Sequence, residues 1–301
     1  MKIICVGDII TDVLAALLAP LAPDSDTPAR IQVAGGGQAA NTAAWLAASG
    51  AEVTLVGAVG DDQAGRDRIA ELTAAGVHVA AQVCPGVATG AIVVLSTEAG
   101  RTMITDRGAN LLLSPQAVQD GLDGAGRLHL SAYTLLDPGS RDAGLHALAQ
   151  AQAHGIKVSV DAASAQPLRQ VGPQVFLSWV RGADVLLTNS DEARVLAGDG
   201  PPQEQAGRLA AATGGSAIVK LGAGGAVWAL PSGELLSEPA PRVTPVDTTG
   251  AGDAFAAGLL AALAAGARPD QALRAATALG ARAVTSFGAR PPARIDAEVG
   301  L

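Results

Sequence analysis

The chemistry in this sequence gathers around one carboxylate. In Asp247-Thr248-Thr249-Gly250-Ala251-Gly252-Asp253, a turn of small residues runs into the apolar stretch 254–265, which reads as a helix. The first N–H groups of a helix lack intrahelical partners, and the helix dipole adds partial positive charge there. Glycines at 250 and 252 let a phosphate approach that backbone closely. The N–H groups of Gly250, Ala251, Gly252 and Asp253 then form an anion hole. An acidic side chain would repel a resting anion at such a place. Asp253 makes sense there if it takes a proton from a hydroxyl that attacks phosphorus. The alternative is a simple cap, because Asp is favoured at helix starts. Capping accounts for the Asp and one glycine, but not for Asp247-Thr248-Thr249 before them.

A second glycine run, Gly35-Gly36-Gly37-Gln38-Ala39-Ala40, leads to Asn41. A turn without Cβ atoms admits a sugar to the backbone, and the Asn41 amide offers both a donor and an acceptor to hydroxyls. The same run satisfies G-x-G-x-x-A, so a dinucleotide site is a competing enzyme reading. It does not directly follow the first apolar run, and Glu52 and Asp61 stand some way downstream. A bare glycine turn before a polar helix residue is the bland alternative.

Other polar groups follow apolar runs. Asp8 and Asp12 come after the first, and they also suit loop turns. In Asn189-Ser190-Asp191-Glu192, Ser190 could cap a helix with acids in its first turn. Lys220, ahead of Gly222, Gly224 and Gly225, either points toward phosphates or snorkels from a sheet end. Arg107 precedes Gly108-Ala109-Asn110 and has the fork that meets a carboxylate bidentately. His78, His129, His146 and His154 lack metal-ligand spacing and read as structural or surface groups. The only lysines are Lys2, Lys157 and Lys220, and none completes a G-x-x-x-x-G-K-[ST] loop; H-R-D and D-F-G are absent too.

The stretch Asp247 to Asp253 closely resembles the D-T-x-G-A-G-D motif of the ribokinase-like (PfkB) carbohydrate kinases. Gly36-Gly37-Gln38-Ala39-Ala40-Asn41 looks like that family's G-G-x-x-x-N. The resemblance covers essentially the whole chain. It implies an α/β fold, a ribokinase-like three-layer α/β/α domain with a mostly parallel central sheet, and a small β-strand lid often used for dimerisation. It implies phosphoryl transfer from ATP to a primary hydroxyl of a sugar, with Asp253 as general base and Gly250, Ala251 and Gly252 in the anion hole. Asp12, Gly36, Gly37 and Asn41 are the implied sugar contacts, with Arg107 and Tyr133 near the pocket.

Asn189 and Glu192 resemble the N-x-x-E motif associated with magnesium and phosphate positioning, and Glu192 would act through water. Lys220, Gly222 and Gly225 look like the nucleotide loop. Asp247 and Thr249, with segment 283–288, are implied donors to a potassium ion. Two positions depart from the pattern: Ile10 stands where ribokinases often place Asn, and Gly224 where many members carry Lys or Arg. Arg107 resembles the arrangement of 2-keto-3-deoxygluconate kinases, whereas Gly108-Ala109-Asn110 is closer to ribokinases and favours a neutral sugar. A ketodeoxygluconate kinase or nucleoside kinase of the same fold, a Rossmann dehydrogenase and a non-catalytic sugar-binding protein remain the alternatives.

These residues need a scaffold. Apolar runs at 3–6, 53–59, 128–131, 157–161, 185–188 and 218–221 read as buried strands. Stretches 38–49, 64–75, 140–154, 192–197 and 203–213 read as helices. Such alternation predicts a parallel sheet covered on both faces, with ligands beyond the carboxyl ends of its strands. Residues 11–34 and 77–107 break the rhythm with short alternating segments, including a hairpin signal at Thr97-Glu98-Ala99-Gly100. They are the expected discontinuous lid of a single domain spanning 1–301.

Composition limits the partners. With 301 residues, 49% hydrophobic, a sizeable core can form. Aromatics at 2% argue against base-stacking platforms, and a net charge of −8 against a phosphate-backbone partner, so no nucleic acid is expected. Cys5 and Cys84 make neither a disulfide framework nor a zinc site. The apolar start is too short for a signal segment, and 13–23 is interrupted by Pro20 and Pro23. A cytoplasmic protein with no membrane partner is the expectation.

Overall fold

The computed structural model describes residues 1–97 and 100–292; Glu98 and Ala99, at the tip of the expected hairpin, and 293–301 lie outside the described residues. The strands are β1 (Ile3–Val6), β2 (Ile10–Leu17), β3 (Ala29–Gly36), β4 (Val53–Gly60), β5 (His78–Cys84), β6 (Ala91–Thr97) and β7 (Gly100–Asp106). They continue with β8 (Arg127–Ser131), β9 (Lys157–Asp161), β10 (Val185–Asn189), β11 (Ser216–Lys220), β12 (Ala226–Ala229) and β13 (Leu235–Glu238). Helices α1 (Gln38–Ala48), α2 (Gln63–Ala74), α3 (Pro115–Gly121), α4 (Tyr133–Leu136), α5 (Arg141–Ala153) and α6 (Ala165–Val171) come first. Then follow α7 (Pro173–Trp179), α8 (Ser190–Ala197), α9 (Pro202–Thr213), α10 (Ala251–Ala264) and α11 (Pro269–Ala283).

Nine strands form one sheet in the order β13-β12-β11-β10-β9-β8-β1-β4-β5. From β11 to β5 every pairing is parallel; β12 and β13 close one edge antiparallel. Alternate side chains explain the layers. Ile4, Val6, Leu128 and Leu130 pack with α5, α7 and α9, while Ile3, Cys5 and Leu55 pack with α1 and α10. Both faces are thus covered, as a parallel sheet requires. The expected strands and helices are all present within a residue or two at their ends. The antiparallel edge and helices α3, α4, α6, α7 and α11 are additions that the sequence patterning did not single out.

A separate four-stranded sheet, β3-β2-β6-β7, is the lid. β2 follows β1 after a short turn and pairs antiparallel with β3 and parallel with β6; β6 and β7 make the expected hairpin pair. Two cross-strand rows share one lid face. Val33, Val13, Val93 and Ile104 are in register, as are Ile31, Ala15, Leu95 and Thr102. Asp12, Leu14 and Val94 occupy the opposite, buried face.

One boundary is corrected. The second lid segment does not start at residue 77, because β5 pairs parallel with β4 from Thr54↔His78 to Gly60↔Cys84. It is the return strand of a β4–α2–β5 unit at the edge of the main sheet. Only half-buried, it shows the same apolar alternation as a lid strand.

Candidate active site

Asp8, Ser131, Asp161, Asn189 and Lys220 all stand at or just beyond the carboxyl ends of central strands, where open parallel sheets bind ligands. The glycine turn faces the same end. Gly250 is the N-cap of α10 at φ 74°, and a Cβ there would meet the Ala289 backbone at 2.6 Å. Only glycine fits that turn. The helix ladder begins with Ala254 N–H donating to Gly250 O (2.9 Å), one turn in. A Cβ on Gly252, by contrast, would meet only the Lys220 Nζ, at 3.3 Å. The turn is tight on one side and open on the side of the ammonium group.

Asp253 does not cap its helix. α10 has no side-chain cap, and Asp253 Oδ2 instead accepts from Asn41 Nδ2 on α1 at 2.9 Å. Facing alanines, Ala39, Ala40 and Ala43 on α1 and Ala254 and Ala257 on α10, allow that close approach. The capping alternative therefore fails. Burial, with the nearby charges of Asp161 and Asp8, pushes the Asp253 carboxyl well above the usual range, while the Asn41 amide and Lys220 pull it back. A carboxylate with a raised proton affinity, beside the first N–H groups of a helix, can accept a hydroxyl proton.

Lys220 is a largely covered cation, its side chain 14% exposed. Burial works against its charge, but Asp161, Glu192 and Asp253 together hold its pKa above the ordinary value. Its Nζ donates to Asp161 Oδ2 at 2.6 Å, and Asp161 Oδ1 accepts from Gln38 Nε2 at 3.0 Å. Asp161 and Gln38 thereby tie the phosphate end to the second glycine run. Neither is singled out by its motif. Asp161 is the last residue of a buried strand and 2% exposed, and that position is the signal that would have found it.

Asn189, rather than Ser190, caps α8. Its Oδ1 accepts from the N–H groups of Asp191 and Glu192 (both 2.9 Å), and the Glu192 carboxylate in turn accepts from Asn189 N (2.8 Å) and Nδ2 (2.6 Å). Glu192 is buried; that burial and Asp161 raise its pKa to about 7. Among the described residues, no three His, Cys, Asp or Glu side chains are placed to hold a metal by themselves. Such a donor set would suit a magnesium ion held mainly through its own waters. Asp247 Oδ1 accepts from Thr249 N and Oγ1, and Asp247 Oδ2 from Gly288 N (3.1 Å), so the two segments expected to share a cation do meet. In the turn after β11, Gly222 is open on its Cβ side. The absence of a side chain at Gly225 is explained by packing, because a Cβ would strike Glu238 O.

On the acceptor side, Gly37 ends the run at φ 97°, where a Cβ would strike Asp8 O. Asp8 caps α1, accepting from Gln38 N (3.1 Å) and Ala39 N (3.4 Å). Asp12 lies on β2 against Gly36. Burial raises its pKa to about 6, moderated by Arg290 and reinforced by Asp8. Arg107 stacks on Tyr133 at 3.8 Å, donates through Nε to Asp137 Oδ2 (2.9 Å) and lies 3.6 Å from Asp8 Oδ2. Its charge is already matched twice. Asn110 clamps the β1–β2 turn by exchanging bonds with Ile9 N and O. Of the histidines, His129 is sealed in the sheet beside Ser159, and burial lowers its pKa to about 4.

The dinucleotide alternative does not survive this geometry: Gly35 and Gly36 end a lid strand, and no βαβ unit begins at them.

A doubly wound sheet with a β-lid, an anion turn at a helix start and a carboxylate beside it defines a sugar-kinase class of protein. The comparisons agree. The pfkB family carbohydrate kinase profile matches residues 1–296. The chain is 30% identical over 286 residues to an ATP-dependent ribose-1-phosphate kinase of Halopiger xanaduensis, covering 91% of this chain and 90% of the relative. The adenosine kinase structure from Sinorhizobium meliloti superposes with a TM-score of 0.87 at 26% identity, covering 96% and 95% of the two chains. A fructokinase double mutant from Vibrio cholerae, with fructose, ADP and potassium bound, gives 0.77 at 26% identity over 96% and 93%. This protein belongs to the PfkB family of carbohydrate kinases, enzymes that phosphorylate sugars.

Proposed function

We propose that the protein transfers the γ-phosphoryl group of ATP to a primary hydroxyl of a neutral sugar or sugar-like compound. The observation that carries this reading is Asp253: half-buried, held by Asn41 rather than by its own helix, and beside an open glycine and a lysine ammonium. Asp253 takes the acceptor's proton. The N–H groups of Gly250, Ala251 and Gly252 face the transferring group, and Lys220 offsets its charge. Asp12, Gly36, Gly37 and Asn41 hold the acceptor hydroxyls. Gly222 and Gly225 belong to the nucleotide loop, and Asn189 and Glu192 support the phosphates. Asn189 and Glu192 would support a magnesium ion through its waters, and its charge would offset that of the phosphates. Asp247 and Thr249, with segment 284–288, are the proposed potassium donors, in line with the ion in the Vibrio fructokinase.

The pairing of Arg107 with Asp8 and Asp137 favours a neutral acceptor, since a carboxylated sugar would bring a third negative charge beside two carboxylates that already offset the guanidinium. The relatives' names span a sugar phosphate, a nucleoside, a hexose and sugar acids, so the preference for a neutral acceptor rests on Arg107 and not on the relatives. ADP release, measured across pentoses, hexoses, keto-acids and nucleosides, tests this; turnover of carboxylated sugars alone would overturn it.

The lid supports a homodimer. Ile31, Val33 and Ile104 share its outer face and are 69%, 61% and 58% exposed, an apolar strip that a second copy would cover. Ile31→Glu with Val33→Glu should turn a dimer into a monomer by light scattering; unchanged mass would remove this surface from consideration. No described helix is long and apolar enough to cross a membrane, and both cysteines are buried and free, which is consistent with a cytoplasmic setting.

A further inference from the structure

Residues 288–290 form a strap that no motif marks. Gly288 N donates to Asp247 Oδ2, Trp45 Nε1 donates to Ala289 O at 3.0 Å, and Ala289 fills the space a side chain at Gly250 would need. The strap thus touches the anion turn on one side and α1 on the other. It ends in Arg290, whose side chain is 11% exposed. Arg290 Nε donates to Asn41 Oδ1 (3.3 Å), Nη2 donates to Gly36 O (3.0 Å), and Nη1 lies 3.0 Å from Glu71 Oε1. A side chain at Gly35 would occupy the place of the guanidinium.

A purely structural role would explain only part of this. Glu71 is half exposed and already paired with Arg68 at 3.1 Å, so it does not need a second buried arginine. The contact with Asn41 has a more specific consequence. A carboxamide has one accepting end and one donating end, and rotation exchanges them. An arginine can only donate. While Nε occupies Oδ1, the amide is obliged to turn its NH2 group toward Asp253 Oδ2, where the 2.9 Å bond is found. In the flipped rotamer two oxygens would face each other across that gap.

We propose that Arg290 is a positioning residue: it locks the Asn41 amide so that its NH2 holds one oxygen of Asp253 and leaves the other aimed at the acceptor hydroxyl. This rests on Asp253 being the general base. The groups that face Asp253 are Asn41 from α1, Asp161 from the end of β9, Lys220 from the end of β11 and Asp8 from the turn after β1. Of these, only the Asn41 contact runs through Arg290. A donor that bonds the ionised form lowers a carboxyl's proton affinity. Losing the lock should therefore raise the titration midpoint of Asp253 and move the acidic limb of activity upward with it.

The test is a pH titration of the Asp253 carboxyl carbon by nuclear magnetic resonance on aspartate-labelled protein, with Asp253→Asn identifying the signal. It is run on the wild type, Arg290→Met, Asn41→Ala and the double variant. Arg290→Met should raise the midpoint, and should add nothing further once Asn41 is alanine. An unmoved midpoint, or an equal shift in both backgrounds, overturns the proposal and makes Arg290 a structural strut or a distant charge. If Arg290→Met does not fold, Arg290→Gln keeps a polar side chain that can accept as well as donate, so it no longer fixes the Asn41 amide, and is read by the same criterion. No acceptor enters the measurement, so its outcome is independent of sugar turnover, which separately tests the kinase reading.

Discussion

The phosphate half and the acceptor half of this site are built differently. The phosphate half rests on elements of the main domain: the start of α10 and the ends of β9, β10 and β11, all packed into the central core. Its glycines divide their work within one turn, Gly250 for fit and Gly252 for open space. The acceptor half is assembled from remote pieces, with Asp12 on a lid strand, Arg107 after the last lid strand, Asp137 after α4 and Arg290 near the chain end. On the proposed reading, the phosphoryl-transfer chemistry would sit on the main-domain half, and the choice of acceptor would sit where loops and lid can vary at little cost to the core.

The sharpest way to break this contrast is Gly252→Val. Its Cβ direction is open apart from Lys220, so cooperative melting should stay normal. The side chain would fill the space of the transferring group, and turnover should fall by at least about 10³-fold, the upper range for losing an oxyanion donor. Gly250→Val is the control: strain at φ 74° and collision with Ala289 should cost stability first. If Gly252→Val retains activity, the anion hole lies elsewhere.

Asp12→Asn probes the acceptor half. Its folded pKa of about 6 lies above the ordinary 3.8, so its contribution to stability is present below pH 3.8 and lost as pH rises through 6. The gap of about two units corresponds to about 3 kcal/mol. Asp12→Asn should therefore raise the melting temperature at pH 8 and leave it nearly unchanged at pH 4, while KM for the acceptor rises. Equal melting shifts at both pH values would contradict the strained carboxylate.

The smallest expected effect is that of Arg107→Lys. With Asp8 and Asp137 matching its charge, the substitution should alter KM for a neutral sugar only mildly and leave ATP kinetics alone. A carboxylated substrate would show a strong rise instead, because Lys cannot reproduce the bidentate fork. Comparing a neutral sugar with a sugar acid in the same assay separates the two.

Asp253, Asn41 and their glycine turns are legible in the sequence because local spacing writes them: small residues ahead of a helix, and an acid or amide in its first turn. The central strands are legible as short apolar runs. β5 is not, since an edge strand with one covered face alternates like a lid strand. Asp161, Gln38 and Arg290 stay hidden for another reason. Their roles depend on partners 59, 123 and 249 residues away, and tertiary proximity of that kind leaves no local pattern. Asp137 is hidden in the same way, while Asn110, visible as part of Gly108-Ala109-Asn110, turns out to brace the β1–β2 turn.

Asp253→Asn tests the role of the carboxylate most directly. The change is nearly isosteric, and burial of a neutral amide beside Asn41 should spare the fold. General-base catalysis contributes roughly 10²–10⁴-fold, so kcat should drop by at least that range while ATP affinity, measured by calorimetry, stays close to wild type. Wild-type-like turnover in Asp253→Asn would show that the acceptor proton leaves by another route.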